Sequence, residues 1–327
     1  MENKNIELTE NDMSVAGNVK HKGRGPQFVI YLGKLLRMFI YQSDWKVLPM
    51  AAVIAALVCY VVGDNLFKTM EGTLLGCFAV SCICIWNGFF NSIQVICRER
   101  AIIKREHRSG MHISSYVAAH MVYQAILCLG QTLVTMQVFF LMHVQFPTIS
   151  LVTGIPVVDI GITIFLTTYA ADMLSLMISA FVRSTTTAMT VMPFLLIFQL
   201  VFSGGFFQLH GTALTFTNFT VAKWGLTALC TQADYNSLPM VSLWNSMEKM
   251  REVEIEGQQP IKELLAVAEE QDMKEQILLE CAKNNQNEKY AATQDNLLNC
   301  WAKLLLFIVL FSCLAVGALE YVDRDKR

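Results

Sequence analysis

Charge breaks this chain into long apolar runs, and the runs are too long to be core elements of a water-soluble domain. They fall at roughly 45–63, 72–97, 114–143, 152–182, 187–205 and 300–319. About 18 or more apolar residues in a row can cross the hydrocarbon of a bilayer as a helix. Within that hydrocarbon a segment must satisfy its own backbone hydrogen bonds. The pattern therefore predicts an all-α integral membrane protein with six transmembrane helices. Only 16% of the residues are charged, against about 25% in ordinary soluble domains. The net charge of -2 points away from nucleic acid.

The segments between the runs differ in kind. Residues 1–27 form a polar tail without the apolar stretch of a cleavable signal peptide. Residues 28–44 carry Leu32, Leu35, Leu36 and Phe39 at helical spacing beside Lys34 and Arg37, which suits an amphipathic helix lying in the interface. Residues 206–235 are semi-polar, neither a clean loop nor a clean span. Residues 236–299 are polar and acidic with helical stretches, too polar for a large core. Residues 300–327 hold the last helix and a charged tail.

Basic residues near span ends mark the cytoplasmic side. Lys20, Lys22, Arg24, Lys34 and Arg37 precede the first span, Arg98 to Arg108 follow the second, Arg183 follows the fourth, and Arg324, Lys326 and Arg327 follow the sixth. Six spans place all four groups on one side, with both termini cytoplasmic in the cell membrane and 236–299 outside. Of ten cysteines, seven fall in apolar runs and read as packing residues; Cys230, Cys281 and Cys300 lie outside and leave a disulfide open.

No G-x-x-x-x-G-K-[ST] phosphate loop and no metal-ligand motif in a polar setting occurs, so no cofactor or metal is expected on this chain. Ser203-Gly204-Gly205 ends an apolar span, which argues against a nucleotide-binding signature. The 97–111 segment, CRERAIIKREHRSGM, alternates charge signs around Ile102 and Ile103. It predicts an amphipathic helix with pairs such as Glu99 with Arg100 or Lys104, suited to docking a soluble partner. Two polar stripes share helical faces: Cys84, Asn87, Asn91 and Gln94 in the second span, and Gln124, Cys128, Gln131 and Thr135 in the third. Each faces protein, through interhelical hydrogen bonds or a cavity. Asp159, Asp172 and His120 lie within spans, where an ionisable group is a functional candidate. A proton relay would pair Asp172 with His120.

Glu99, Glu106 and Ser109-Gly110 resemble the E-x6-E-x2-S-G pattern in the first cytoplasmic loop of the G-subfamily of ABC transporters. Phe202-Ser203-Gly204, Leu209 and Lys223-Trp224-Gly225-Leu226-Thr227-Ala228-Leu229 are similar to that subfamily's F-S-G … R-Y-G-x-T-A-L segment after the fifth span. The order of elements over residues 28–321 also matches. The resemblance implies a type-2 ABC export permease, paired with a second permease copy as a homodimer or heterodimer. It implies coupling to the ATPase through Glu99, Arg100, Lys104, Arg105, Glu106, Ser109 and Gly110. It implies a substrate cavity lined by Cys84, Asn87, Asn91, Leu196, Ile197 and Leu200, with Gly205 and Phe206 at the constriction above. The 206–235 segment would be re-entrant.

That subfamily carries its ATPase before the interfacial helix; here only about 27 polar residues stand there. A separate ABC ATP-binding subunit holding ATP and Mg is therefore expected, unless the chain is a fragment. Asn87 stands where the subfamily's drug exporters have aromatic residues, which favours an amphiphilic cargo (lipid, peptide, drug or glycan) over a flat aromatic one. The alternatives are a proton-coupled secondary transporter or channel using Asp172 and His120, and a membrane sensor or assembly factor whose 236–299 segment binds a partner.

Overall fold

A computed structural model describes residues 23–41, 44–205, 207, 211–253 and 259–321. Lys20, Lys22, Phe206, Leu209, Arg324, Lys326 and Arg327 lie outside the described residues. No strand occurs among those described.

Helix α1 (Arg24–Tyr41) begins before the expected residue 28 and is followed by α2 (Val47–Val62), α3 (Met70–Ser92) and α4 (Val95–Arg108). Next come α5 (Ile113–Leu141), α6 (Pro156–Phe181) and α7 (Thr185–Val201). Two short helices, α8 (Thr212–Thr217) and α9 (Val221–Gln232), occupy the semi-polar segment. Three more, α10 (Ser242–Lys249), α11 (Pro260–Glu270) and α12 (Lys274–Asn284), make up the polar insert before α13 (Gln294–Glu320).

Among the described residues, four helical stretches are long and apolar enough to cross a membrane: Met70–Arg108, which holds α3 and α4, and α5, α6 and α13. The other two apolar helices, α2 and α7, are shorter. At 1.5 Å per residue their 16 and 17 residues reach roughly 24–26 Å, less than the roughly 30 Å of hydrocarbon.

Helix α6 is the hub, packed against α3, α5, α9 and α13. Glycine makes its closest seam: a Cβ on Gly88 of α3 would stand 2.5 Å from the Thr168 carbonyl oxygen and 2.7 Å from the Asp172 amide nitrogen. Ser175 Oγ donates to the Phe89 carbonyl at 2.9 Å along the same seam. Gly225 lets α9 approach α6 in the same way, since a Cβ there would lie 2.7 Å from Thr167 Cγ2. Trp301 Nε1 joins α13 to Thr163 Oγ1 at 2.8 Å. Ala51 and Ala55 are fully buried on α2, which packs against α5; small residues permit such approach where lipid supplies no hydrophobic drive between helices.

Helix α1 lays Leu35 against Ala119 and Tyr123 of α5, while Val29, Ile30, Leu36 and Ile40 stay exposed. The insert closes at its base through a reciprocal pair, Asn287 N to Asn236 Oδ1 at 2.9 Å and Asn236 Nδ2 to the Asn287 carbonyl at 3.1 Å. Its core is small: Trp244, Leu265, Ala268 and Leu278. Glu71, in the first turn of α3, accepts from the amides of Val241 and Ser242 and holds the start of α10. All ten cysteines are free, so Cys230, Cys281 and Cys300 form no disulfide; Cys230 and Cys300 are buried as packing residues.

Candidate functional site: an anchored amphipathic helix and two pockets

A two-residue turn at Ile93–Gln94 separates α3 from α4. Ile96, Cys97 and Ile103 are buried on one face of α4. Arg98, Ile102, Arg105 and Arg108 recur on the opposite, exposed face. The first amides of a helix lack intrahelical partners. Two of them here, Ile96 N and Cys97 N, donate to Ser179 Oγ of α6 at 3.1 and 3.2 Å. Arg100 Nη1 donates back to the carbonyls of Ala180 and Val182 at the end of α6, at 2.7 and 3.2 Å. A cation suits the partial negative charge of a helix C-terminus.

Helix α1 clasps the other side. Tyr31 O–H donates to Glu106 at 2.9 Å, and Tyr116 O–H donates to Glu99 at 3.1 Å. Lys34 pairs with Glu99 at 3.6 Å. Burial, and then the Glu106 carboxylate, raise the Tyr31 pKa, so its hydroxyl remains a donor. Gln27 bridges the turn, donating to the Gly110 carbonyl and accepting from the His112 amide. Gly110 ends α4 at φ 98°, a left-handed conformation that favours glycine.

The two polar stripes meet. Asn91 and Gln131 exchange hydrogen bonds at 2.9 and 3.0 Å. Asp172, fully buried, accepts from Ser92, from Cys128 Sγ at 3.2 Å and from Asn91 Nδ2 at 3.5 Å. Asp172→Leu leaves Ser92 and Cys128 without this acceptor, while Asn91 keeps Gln131, at about 1–3 kcal/mol for each group left unsatisfied. Thermal melting in detergent should show a clear loss, and Asp172→Asn, which keeps an acceptor oxygen, a smaller one.

Two pockets lie near opposite ends of α3. One of about 260 Å³ is walled by α2, α3, α4, α5 and α7, and Asn91, Gln94, Arg98 and Gln124 give it polar lining. Another of about 500 Å³ lies between α3, the 203–205 turn, α8, α9 and the base of the insert.

Residues 34–224, more than half of the chain, match the family model described as ABC-2 type transporter. The chain belongs to the ABC-2 type transporter family. No curated protein matches it. It is thus a multi-pass membrane permease domain, a transport subunit with no catalysis of its own. The match starts inside α1 and ends inside α9, leaving the insert and α13 beyond it.

Within this permease the residues expected to couple fall into two groups. Glu99, Arg100 and Glu106 turn inward to α1, α5 and α6. Arg105 and Ser109 are exposed, Lys104 is half-buried, and Gly110 shapes the turn. Glu99 reaches Lys34 on α1, a tertiary partner outside the expected local pairs. Arg98, Ile102 and Arg108 complete the outer face and were legible from the 3.6-residue period.

The expected cavity residues separate as well. Asn91 lines the smaller pocket and Gly205 the larger. Cys84, Asn87 and Leu196 are buried in packing, Ile197 is exposed and Leu200 half-buried. Phe206 lies outside the described residues. Ser179 and Gln124 also belong to this arrangement, at the α4 junction and in the smaller pocket; nothing in the sequence marked Ser179, whereas Gln124 belonged to a polar stripe.

The expected pairing of Asp172 with His120 is not formed. His120 packs edge-on against Tyr116 at 4.6 Å, and both its ring nitrogens are buried without a hydrogen-bond partner. Cys128, which does touch Asp172, lies eight residues further along α5, roughly 12 Å by helix rise.

Proposed function

We propose that this chain is the membrane subunit of an ATP-driven exporter of the G-subfamily kind, moving an amphiphilic cargo outward. Counting α2 and α7 as spans gives six, with both termini and α4 in the cytoplasm of the cell membrane. A separate ABC ATP-binding subunit, carrying ATP and Mg, docks on α4, and two permease copies face each other across the transport path. Closure of the ATPases moves α4, and the moving helix carries α3 and α6 with it.

The observation that carries this reading is the division of α4 into two faces. One face is fastened to α6 and α1 by Ser179, Arg100, Glu99 and Glu106. The other presents three arginines around Ile102, which is 40% exposed. A helix so held can transmit force, and a hydrophobic residue inside a basic rim is the composition of a docking surface. Replacing Ile102 with Asp and Arg105 with Glu together should release the ATPase on mild detergent extraction while the permease stays folded. The combined loss of a central apolar anchor and a charge reversal at the rim is expected to cost at least about tenfold in association. Retention of the ATPase by this variant would sink the assignment of the α4 face. Purification of the native chain alone, with pH-driven flux that Asp172→Asn abolishes, would replace export by proton-coupled transport.

A further inference from the structure

We propose that the cargo is an amphiphile with an anionic headgroup, and that the larger pocket is its binding site at the end of the permease remote from α4. This rests on the export reading for the word cargo; the binding site itself does not need it. Lys223 and Lys289 both line the pocket. Among the described residues neither forms an ion pair, and no carboxylate lines the cavity. No Asp or Glu occurs between Asp172 and Asp234, the stretch that supplies the lining residues from Ser203 to Thr227. Two ammonium groups sharing a cavity without a counter-charge repel each other and favour an anion between them.

The remaining lining defines the rest of the ligand. Tyr235 and Tyr290, whose rings meet edge to face at 5.1 Å, also line the pocket. Leu74, Phe207 and Leu214 supply apolar lining. A headgroup-sized volume lined by both cations and hydrocarbon fits an anionic amphiphile better than a bare ion.

The smaller pocket repeats this chemistry independently. Its one charged lining residue is Arg98, with Phe90 and Met189 among its apolar walls. Gln124, only 1% exposed, is among its lining residues and carries an amide oxygen without a hydrogen-bond partner. Two pockets at opposite ends, each basic and each half apolar, fit one ligand that passes between them.

Trp224 offers a probe, because Lys223 Nζ lies 4.9 Å from its ring centre. The full chain, purified in a neutral maltoside, is titrated with dihexanoyl phosphatidylglycerol, dihexanoyl phosphatidylcholine and inorganic phosphate while tryptophan emission is followed. Trp224→Phe serves as the blank. The expected result is a saturable change with the phosphatidylglycerol alone. Lys223→Gln with Lys289→Gln should weaken it about tenfold or more, as expected for two charge-assisted contacts, and the Arg pair should restore it. An equal response to the zwitterionic lipid, no loss in the Gln variant, or phosphate binding as tightly as the lipid would overturn the proposal. ATPase co-purification with the native chain is measured in parallel. Its presence without lipid binding defeats the headgroup alone; lipid binding without any ATPase defeats the export reading and leaves the site standing.

Discussion

Gly88→Val should open the α3–α6 seam and produce the largest loss of stability among single substitutions in the membrane-embedded part. The two atoms nearest a Cβ at this position are the Thr168 carbonyl oxygen and the Asp172 amide nitrogen, at 2.5 and 2.7 Å. Both belong to the backbone of α6, and a backbone in a helix has no rotamer to yield. The helices must separate. Separation pulls Asp172 from Ser92, and it loosens Ser175 from the Phe89 carbonyl. Overpacking of this kind costs about 1–3 kcal/mol before the hydrogen bonds are counted. Thermal unfolding in detergent, read by size-exclusion chromatography, should show a much lower midpoint for Gly88→Val. Gly161→Ala on α6 is the control: nothing lies within 4 Å of a Cβ there, and alanine is the better helix former. Equal midpoints for the two variants would mean that the α3–α6 seam is not the tight contact described.

Arg100→Ala should separate ATP hydrolysis from transport. Arg100 fastens the middle of α4 to the carbonyls of Ala180 and Val182, and hydrogen bonds to a charged group are worth about 1.5–3 kcal/mol. Its side chain is directed away from the Ile102 face, so the ATPase should still bind. Without it, displacement of α4 is absorbed at the α4–α6 junction instead of moving α6. The expected outcome is near-normal ATPase association with cargo movement per ATP reduced about tenfold, the factor that 1.4 kcal/mol represents. Ser179→Ala, which removes the acceptor for two α4 amides, should act in the same direction. Unchanged transport in both variants would show that force reaches the spans by another route, such as the α1 clasp at Tyr31 and Glu106.

The contrast between Glu106 and Ile102 shows how far sequence reasoning carries. Periodicity located the amphipathic helix within a few residues. The same pattern did not reveal that Glu99 and Glu106 are consumed by Tyr116 and Tyr31, because those partners sit 17 and 75 positions away in sequence. Likewise the stripe containing Asn91 and the stripe containing Gln131 were legible as polar faces. Their mutual pairing, and the choice of Asp172 over His120 as the buried centre, depended on which helices touch.

What the sequence determined by itself was the solvent. Six apolar runs and few charges commit this chain to helices in a bilayer, because an unpaired backbone group in hydrocarbon costs several kcal/mol. Local sequence also settled where charge leaves the membrane, which residues share a face of a helix, and the two motifs that resemble the export permeases. The tertiary structure decided the rest. It decided that Gly88 and Gly225 are contacts with backbone or side chain of α6, that Ser179 caps α4, and that Lys223 and Lys289 share one cavity though 66 residues apart. The physical reason is that a helix satisfies its backbone alone and leaves its side-chain faces uncommitted. A period of 3.6 residues fixes which groups point together, and only packing against another helix fixes what they point at.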